Sequence, residues 1–456
     1  MAVSFSLFLT LTLTFSLIFN QATSQPALNS AEQESLYLVL NSINSEIPWR
    51  SLFPDDLCAS APHGVVCDVF LSESNGSEST HVTELSFGYV SDYSPNPPCT
   101  PHSTITTPLL SPFNHLRKLF FYKCFFSSKN VPLPNLSALT SSLEEVIFIE
   151  NPSLVGSLEG KMGNLTSLRR LVFTGTNVSG EIPDGLSDLT GLEQITLSRN
   201  RFSGEVKGDF SRLKKLKVLD LSQNGLEGDL PDSIGGLTEV LKVDLSWNNF
   251  SGKIPDGLKN LKNLEFLDLG YNSFGKFGIP SFLGEMTSLR EVHLSGNNLG
   301  GAIPEIWENL GGIMGIGLSG TGLVGNIPAS MGVHLRNLCY IGLDNNGLEG
   351  NVPEEFGSLE SLSEINLMNN KLRGKLPFSA EFAAKIGEKL KLEGNPGLCV
   401  DEGLRYAKTI GSLRQLKLCK NVSYLGSSSH ALFVGGNSVQ QASHLLMFIG
   451  FLFLVA

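Results

Sequence analysis

Charge is scarce in this sequence. Only 17% of its 456 residues are Asp, Glu, Lys or Arg, against about 25% in an ordinary soluble domain. The positive sign is the rarer one: 33 Lys and Arg face 44 Asp and Glu, a net charge of -11. That balance argues against nucleic acid and against a polybasic membrane patch. Catalytic signatures are missing too. There is no G-x-S-x-G elbow, no H-E-x-x-H and no C-x-x-C, and the eight His show no ligand spacing. Nothing therefore points to an enzyme, a metal or a cofactor. What is abundant is glycine, at 47 residues.

The first residues, "MAVSFSLFLTLTLTFSLIFNQATSQ", hold an apolar run over 5–19 and small residues at Ala22 and Ser24, the spacing a signal peptidase reads. Residues 1–24 are expected to be a cleaved signal peptide, and the exported chain then folds where disulfides form. At the other end, residues 445–456 form an uncharged apolar run of twelve. A spanning helix needs about 20 such residues, and extending this one upstream would bury Gln440 and Gln441. A glycosylphosphatidylinositol signal needs a small-residue attachment site, a polar spacer and an apolar tail of this kind. Residues 426–444 offer the spacer, with attachment at 427–429 or 435–438, and 445–456 the removed tail. A short transmembrane anchor and a simply secreted form are the alternatives.

Between these ends the chain repeats. "LEQITLSRNRFSGEV" from Leu192 aligns with "LKVLDLSQNGLEGDLP" from Leu216 and "VLKVDLSWNNFSGKIP" from Val240. The frame returns at Leu264, Leu289, Ile313, Leu338 and Leu362, and upstream at Leu168, Leu143 and Leu116, mostly in steps of 24 or 25. This is the period and pattern of a leucine-rich repeat. In x-L-x-L-x the two apolar side chains point one way and their neighbours the other, so the segments should stack as one parallel sheet with a solvent-facing side. Asn200, Asn224, Asn248, Asn272, Asn297, Asn346 and Asn370 follow the strands, where an amide can bond the backbone of its own and the next coil. Thr176, Thr321 and Cys124 take that place elsewhere and should interrupt the ladder.

A coil cannot cover its own apolar edge, so both ends need caps. "EQESLYLVLNSI" has helical apolar spacing and leads into "DLCASAPHGVVCD"; at the other end "EGNPGLC" precedes Cys419. The G-x-I-P segments, as at residues 252–255, together with these ends resemble plant leucine-rich-repeat receptor-like proteins. "LYLVLNSINSEIPWRSLFPDDLCASAPHGVVCD" and "LRKLFFYKCF" narrow the resemblance to the Piriformospora indica-insensitive protein 2 group, with Too Many Mouths more distant. The resemblance implies a right-handed α/β solenoid of plant-specific repeats over residues 82–398, a second short extended segment in each coil, and disulfide caps over 25–81 and 399–425. It further implies pairing of Cys58 with Cys67 and of Cys399 with Cys419. Cys99 and Cys124 could form a third bridge, which would leave Cys339 free within a regular coil.

Other motifs weigh less. "GTGLVG" at 320–325 matches G-x-G-x-x-G, but Gly325 is the repeat glycine, so the period explains all but Gly320 and Gly322. N-x-S/T sequons at Asn75, Asn135, Asn164, Asn177, Asn249 and Asn421 are candidate glycosylation sites. On the exposed strand positions Asp220, Asp244 and Asp268 should form a row about 5 Å apart, with Trp247, Phe266, Tyr271, His293 and Tyr340 nearby. The Asp row is equally readable as consensus filler, since "LDLS" is common in this repeat. The aromatics depart from consensus and are the better ligand-binding candidates.

The function expected is that of a cell-surface receptor-like protein without a kinase. It would bind a peptide, elicitor or receptor ectodomain at the extracellular face of the plasma membrane and signal through a partner kinase. The resemblance extends this to the response to root-colonising fungi. The alternative is a secreted inhibitor of microbial cell-wall glycan hydrolases, which the acidic balance and apolar tail disfavour.

Overall fold

The computed structural model describes residues 26–60, 62–72, 76–88, 96–139, 141–162, 165–405 and 411–419. The expected signal peptide, the expected spacer and apolar tail, and the sequons at Asn75, Asn164 and Asn421 lie outside the described residues. The described residues all fall within one unit, Met1–Cys419.

Helix α1, Ser30–Ile43, opens the fold. Asn29 caps it by accepting from the Ala31 N–H at 2.8 Å, and Leu36, Tyr37, Leu40 and Ile43 are buried at helical spacing. Two strands follow, β1 (Val65–Leu71) and β2 (Glu78–Phe87), paired antiparallel. From β2 onward the chain stacks coils. The main sheet has fourteen strands, and every pairing after the first is parallel. A typical coil contributes three residues, such as Val218–Asp220, in register with Gln194–Thr196 on one side and Lys242–Asp244 on the other. Leu219 and Leu221 point inward and are 1% exposed, while Val218 and Asp220 face out. Two-residue alternation therefore sorts each coil into a core side and a surface side.

Among the described residues thirteen strands stack in parallel, two more than the eleven frames of the repeat. The first pairing joins Glu84–Phe87 of β2 to the following coil and the last strand is Leu390–Lys391, both within residues 82–398. Both extra strands lack the full consensus, so the repeat pattern alone could not reveal them. The second extended segment is present. It forms a six-stranded sheet from Val131–Pro132 to Asn249–Ser251 and a five-stranded sheet from Val324–Asn326 to Lys417–Leu418. No strand of this layer is formed between Ser251 and Val324. The coil from Leu264 takes 25 residues to reach Leu289, and Phe277 there is 65% exposed.

The layer opposite the main sheet is made of single turns of 3-10 helix that begin after Pro183, Pro231, Pro255, Pro280 and Pro353. Proline suits that place because its fixed φ opens a helical turn and no N–H is lost there. Between the layers runs one continuous apolar core. In its N-terminal part Phe87, Phe121, Phe148 and Phe173 stack along the array, with centroids 5.1 Å apart from Phe121 to Phe173.

The asparagine ladder differs from expectation in direction. Each Asn bonds its own coil and the preceding one. Asn272 Nδ2 donates to Leu269 O at 3.1 Å and to Leu245 O at 2.9 Å, while its Oδ1 accepts the Phe250 N–H at 3.0 Å. Asn151 and Asn395 belong to the ladder too, in coils whose weak consensus hid them. At Thr321 the hydroxyl donates to Leu318 O in its own coil at 2.7 Å and lies 3.2 Å from Asn346 Oδ1 of the next, a shorter substitute for the amide.

The ends are covalently closed. Cys58 is bonded to Cys67, Cys99 to Cys124 and Cys399 to Cys419, and Cys339 is free and half-buried. Cys124 occupies a ladder position, so the bridge stands where other coils place an amide. Among the described residues no helix is long and apolar enough to cross a membrane.

Candidate functional site: the solvent-facing side of the main sheet

Two outward columns run along the sheet. One contains Gln194, Val218, Lys242, Phe266, Glu291, Gly315, Tyr340 and Glu364; the other Thr196, Asp220, Asp244, Asp268, His293, Gly317, Gly342 and Asn366. The register thus brings Asp220, Asp244 and Asp268 side by side, followed by His293. Lys242 Nζ lies 3.6 Å from a carboxylate oxygen of both Asp220 and Asp244, and 5.2 Å from the centroid of Phe266. Phe266 and His293 rings are 5.8 Å apart, and His293 Nε2 is 3.2 Å from Glu291 Oε2.

The Asp row also has a structural task. Asp220 and Asp244 each accept from the backbone and hydroxyl of the Ser two residues on, and Asp268 accepts the Gly270 N–H at 2.8 Å. These bonds close the turn that leaves each strand, as Asx side chains commonly do. Crowding still has an electrostatic consequence. Burial, and then the neighbouring Asp220 charge, raise the Asp244 carboxyl above its usual range. Burial and the Asp244 charge push Asp268 up to about 6.

One turn later every coil needs a left-handed residue. Arg199, Gln223, Trp247, Tyr271, Asn345 and Asn369 have φ between 53° and 57°, and Gly175, Gly296, Gly320 and Gly394 fill the same place. This accounts for Gly320, which the repeat consensus leaves unexplained; Gly322 is left-handed as well. Such a backbone suits Gly or Asn and is unusual for bulky residues. Trp247 and Tyr271 occupy it nonetheless, 55% and 48% exposed, with rings stacked at 4.0 Å and 13°. Beyond Tyr271 the surface falls away. A Cβ on Gly296 would lie 2.7 Å from the Tyr271 ring, one on Gly317 2.7 Å from His293 Nδ1, and one on Gly342 2.3 Å from the Tyr340 hydroxyl. Glycine at these places lets Tyr271, His293 and Tyr340 lie across the sheet. Burial is the main reason the Tyr340 phenol is held above its usual value.

Of the candidates read from sequence, Asp220, Asp244, Trp247, Phe266, Asp268, Tyr271 and His293 are therefore contiguous. Tyr340 shares the face but is separated from Phe266 by Glu291 and Gly315. Sequence reasoning missed Lys242 and Glu291, which the outward alternation could have supplied, and the glycines, which it could not rank. Of the described sequons, Asn135 and Asn249 are exposed. The Asn177 amide already donates to Pro152 O at 2.5 Å, a bond a glycan would break.

With this geometry in view, the chain was compared with known proteins. The Leucine Rich Repeat family matches residues 215–237, 240–261 and 288–310. The chain is 34% identical to Piriformospora indica-insensitive protein 2 of Arabidopsis thaliana over 33% of this chain and 34% of that protein. It is also 34% identical to Protein TOO MANY MOUTHS of the same plant, over 30% of this chain and 26% of that one. The chain thus spans about a third or less of the length of these relatives. Among solved structures, the plant peptide hormone receptor RGFR1 in complex with RGF2 is 26% identical with a TM-score of 0.57, covering 73% of this chain and 54% of that one. Repeats, cap bridges and fold agree with these comparisons: the chain carries leucine-rich repeats and is similar over part of its length to plant leucine-rich-repeat receptor-like proteins.

Proposed function

We propose that this chain is a receptor-like protein of the plant cell surface that binds an extracellular peptide, elicitor or receptor ectodomain on the solvent-facing side of its main sheet. It signals through a partner kinase, in the response to root-colonising fungi. The observation that carries the reading is the exposed Trp247–Tyr271 stack. A large aromatic surface kept in an unfavourable backbone conformation has no role in holding the coil, since Asn or Gly serves that turn elsewhere. Exposed rings beside charge are the usual anchors of protein interfaces. The chemistry of the partner follows from the columns beside the stack. From Val218 to His293 they present Asp220, Asp244, Asp268 and Glu291 against Lys242, so the segment that docks there is basic. The similarity to a named peptide hormone receptor supports a peptide-sized ligand, and that to Piriformospora indica-insensitive protein 2 supports the fungal setting.

The apolar run 445–456 holds the chain at the membrane in this reading, through a lipid anchor. Release by phosphatidylinositol-specific phospholipase C tests that part alone. The binding claim is tested by cross-linking the tagged full chain in root membranes and identifying kinase ectodomains bound to it. Recovery should fall at least about tenfold in a Trp247→Asn, Tyr271→Asn double variant, the loss of two interface anchors. Undiminished recovery moves the site to another surface.

A further inference from the structure

We propose that the N-terminal cap holds a divalent transition-metal site of the zinc type, formed by Glu32, His81 and His115. Glu32 lies in the first turn of α1, His81 on β2, and His115 in the turn before the strand Lys118–Tyr122. Their candidate ligand atoms, one per residue, all lie within 4.8 Å of one another. They come from three separate elements, so the fold itself brings them together.

Two features mark this as more than a histidine pair packed in a core. First, two of the ligands are oriented from behind. His81 Nδ1 lies 2.6 Å from Glu32 Oε1 while its Nε2 lies 3.0 Å from Ser79 Oγ, and Glu32 Oε2 accepts the Val82 N–H at 2.9 Å. Metal-binding histidines and carboxylates are held in this way by outer partners. Second, His115 Nδ1 is buried and has no hydrogen-bond partner. A buried nitrogen left without a partner is costly unless something fills its valence. A carboxylate and two imidazoles are a common zinc donor set, with a water completing the tetrahedron.

The rings of His81 and His115 are stacked at 3.9 Å, tilted by 28°, and Phe70 packs on both. Ligand atoms around tetrahedral zinc at about 2.1 Å stand roughly 3.4 Å apart, so the metal must draw the nitrogens together and fan the rings. The Glu32–His81 hydrogen bond opens as the metal enters: His81 ligates through Nδ1 as a neutral ring, with its one proton on Nε2, where Ser79 Oγ accepts it. The consequence is a clasp: α1, β2 and the first regular coil become ligands of one ion.

The test uses the full secreted chain, stripped with chelator and titrated with Zn2+ and with Co2+ at neutral pH. One equivalent should bind, the melting temperature should rise, and Co2+ should give the visible bands of tetrahedral N/O coordination. His115→Phe keeps an aromatic ring against Phe70 and removes the nitrogen, and Glu32→Gln keeps the shape and removes the charge. Losing an outer partner costs about 10–100-fold in metal affinity, so losing a ligand should cost at least ~100-fold. Both variants should show it, with the three disulfides intact as the control for folding. Absence of saturable binding, or equal affinity in His115→Phe, overturns the site.

Discussion

Lys242 stands between Asp220 and Asp244, its ammonium 3.6 Å from an oxygen of each, and leaves Asp268 one coil further on without an ion pair among the described residues. The surface is thus asymmetric: its charge is balanced at one end and in excess at the other. The basic segment proposed above as the ligand would complete the balance at Asp268.

The pH response of stability follows from that asymmetry. Asp268 is raised to about 6 in the folded state, above the ~3.9 of an unfolded Asp. Folded protein then binds the proton more tightly than unfolded chain. The contribution of this residue therefore falls as pH rises from about 4 to about 6, and its full penalty is present above that window. Asp268→Asn keeps the acceptor for the Gly270 N–H and removes the charge. Thermal melts of the variant should show a higher midpoint at neutral pH and a shallower decline across the window. An unchanged profile would show that the carboxylate titrates normally.

The aromatic pair should separate binding from stability. Tyr271→Asn places a residue used at Asn345 and Asn369 into the same left-handed turn. A bulky residue there costs about 1–2 kcal/mol, so the melting temperature should hold or rise. Partner affinity should fall, by about 2 kcal/mol if Tyr271 is an anchor. Calorimetry and a binding assay on one preparation decide the matter; a fall in both would make the ring structural.

Ladder asparagines should behave in the opposite way. Asn272→Ala strips Leu245 O, Leu269 O and Phe250 N–H of a buried partner. At about 1–3 kcal/mol for a buried polar group left unsatisfied, the loss should shift the urea midpoint strongly. Thr321→Ala, which removes one hydroxyl bond, should cost less.

The C-terminal bridge should guard its own end. Cys399–Cys419 spans 20 residues, for which loop-closure entropy predicts about 3 kcal/mol. In a repeat array such losses stay near the site. Double replacement by Ser should therefore raise hydrogen exchange over residues 390–418, with little change near Asn224.

The sequence made the solenoid legible because its period, its ladder and its caps are written in residue types. Trp247 and Tyr271 were legible for the opposite reason: they break the pattern. The left-handed column was not, since Lys123, Glu150, Arg199, Gln223 and Trp247 share a backbone angle and no chemistry. Lys242 escaped notice because outward strand positions vary freely. The cluster in the cap was invisible for another reason, as Glu32 and His81 are 49 positions apart and meet only when α1 packs on β2.

The missing ladder between Ser251 and Val324 has a mechanical meaning. There the coils are bridged in the second strand layer by isolated bonds, such as Gly278 N–H to Leu299 O at 3.0 Å, and by no strand pairing. The face that carries Tyr271 and His293 stays fully laddered. A rod stiffened along one side and relaxed along the other flexes about the stiff side, so this stretch is where the solenoid yields under load. The candidate site lies on the side that keeps its strand pairing throughout.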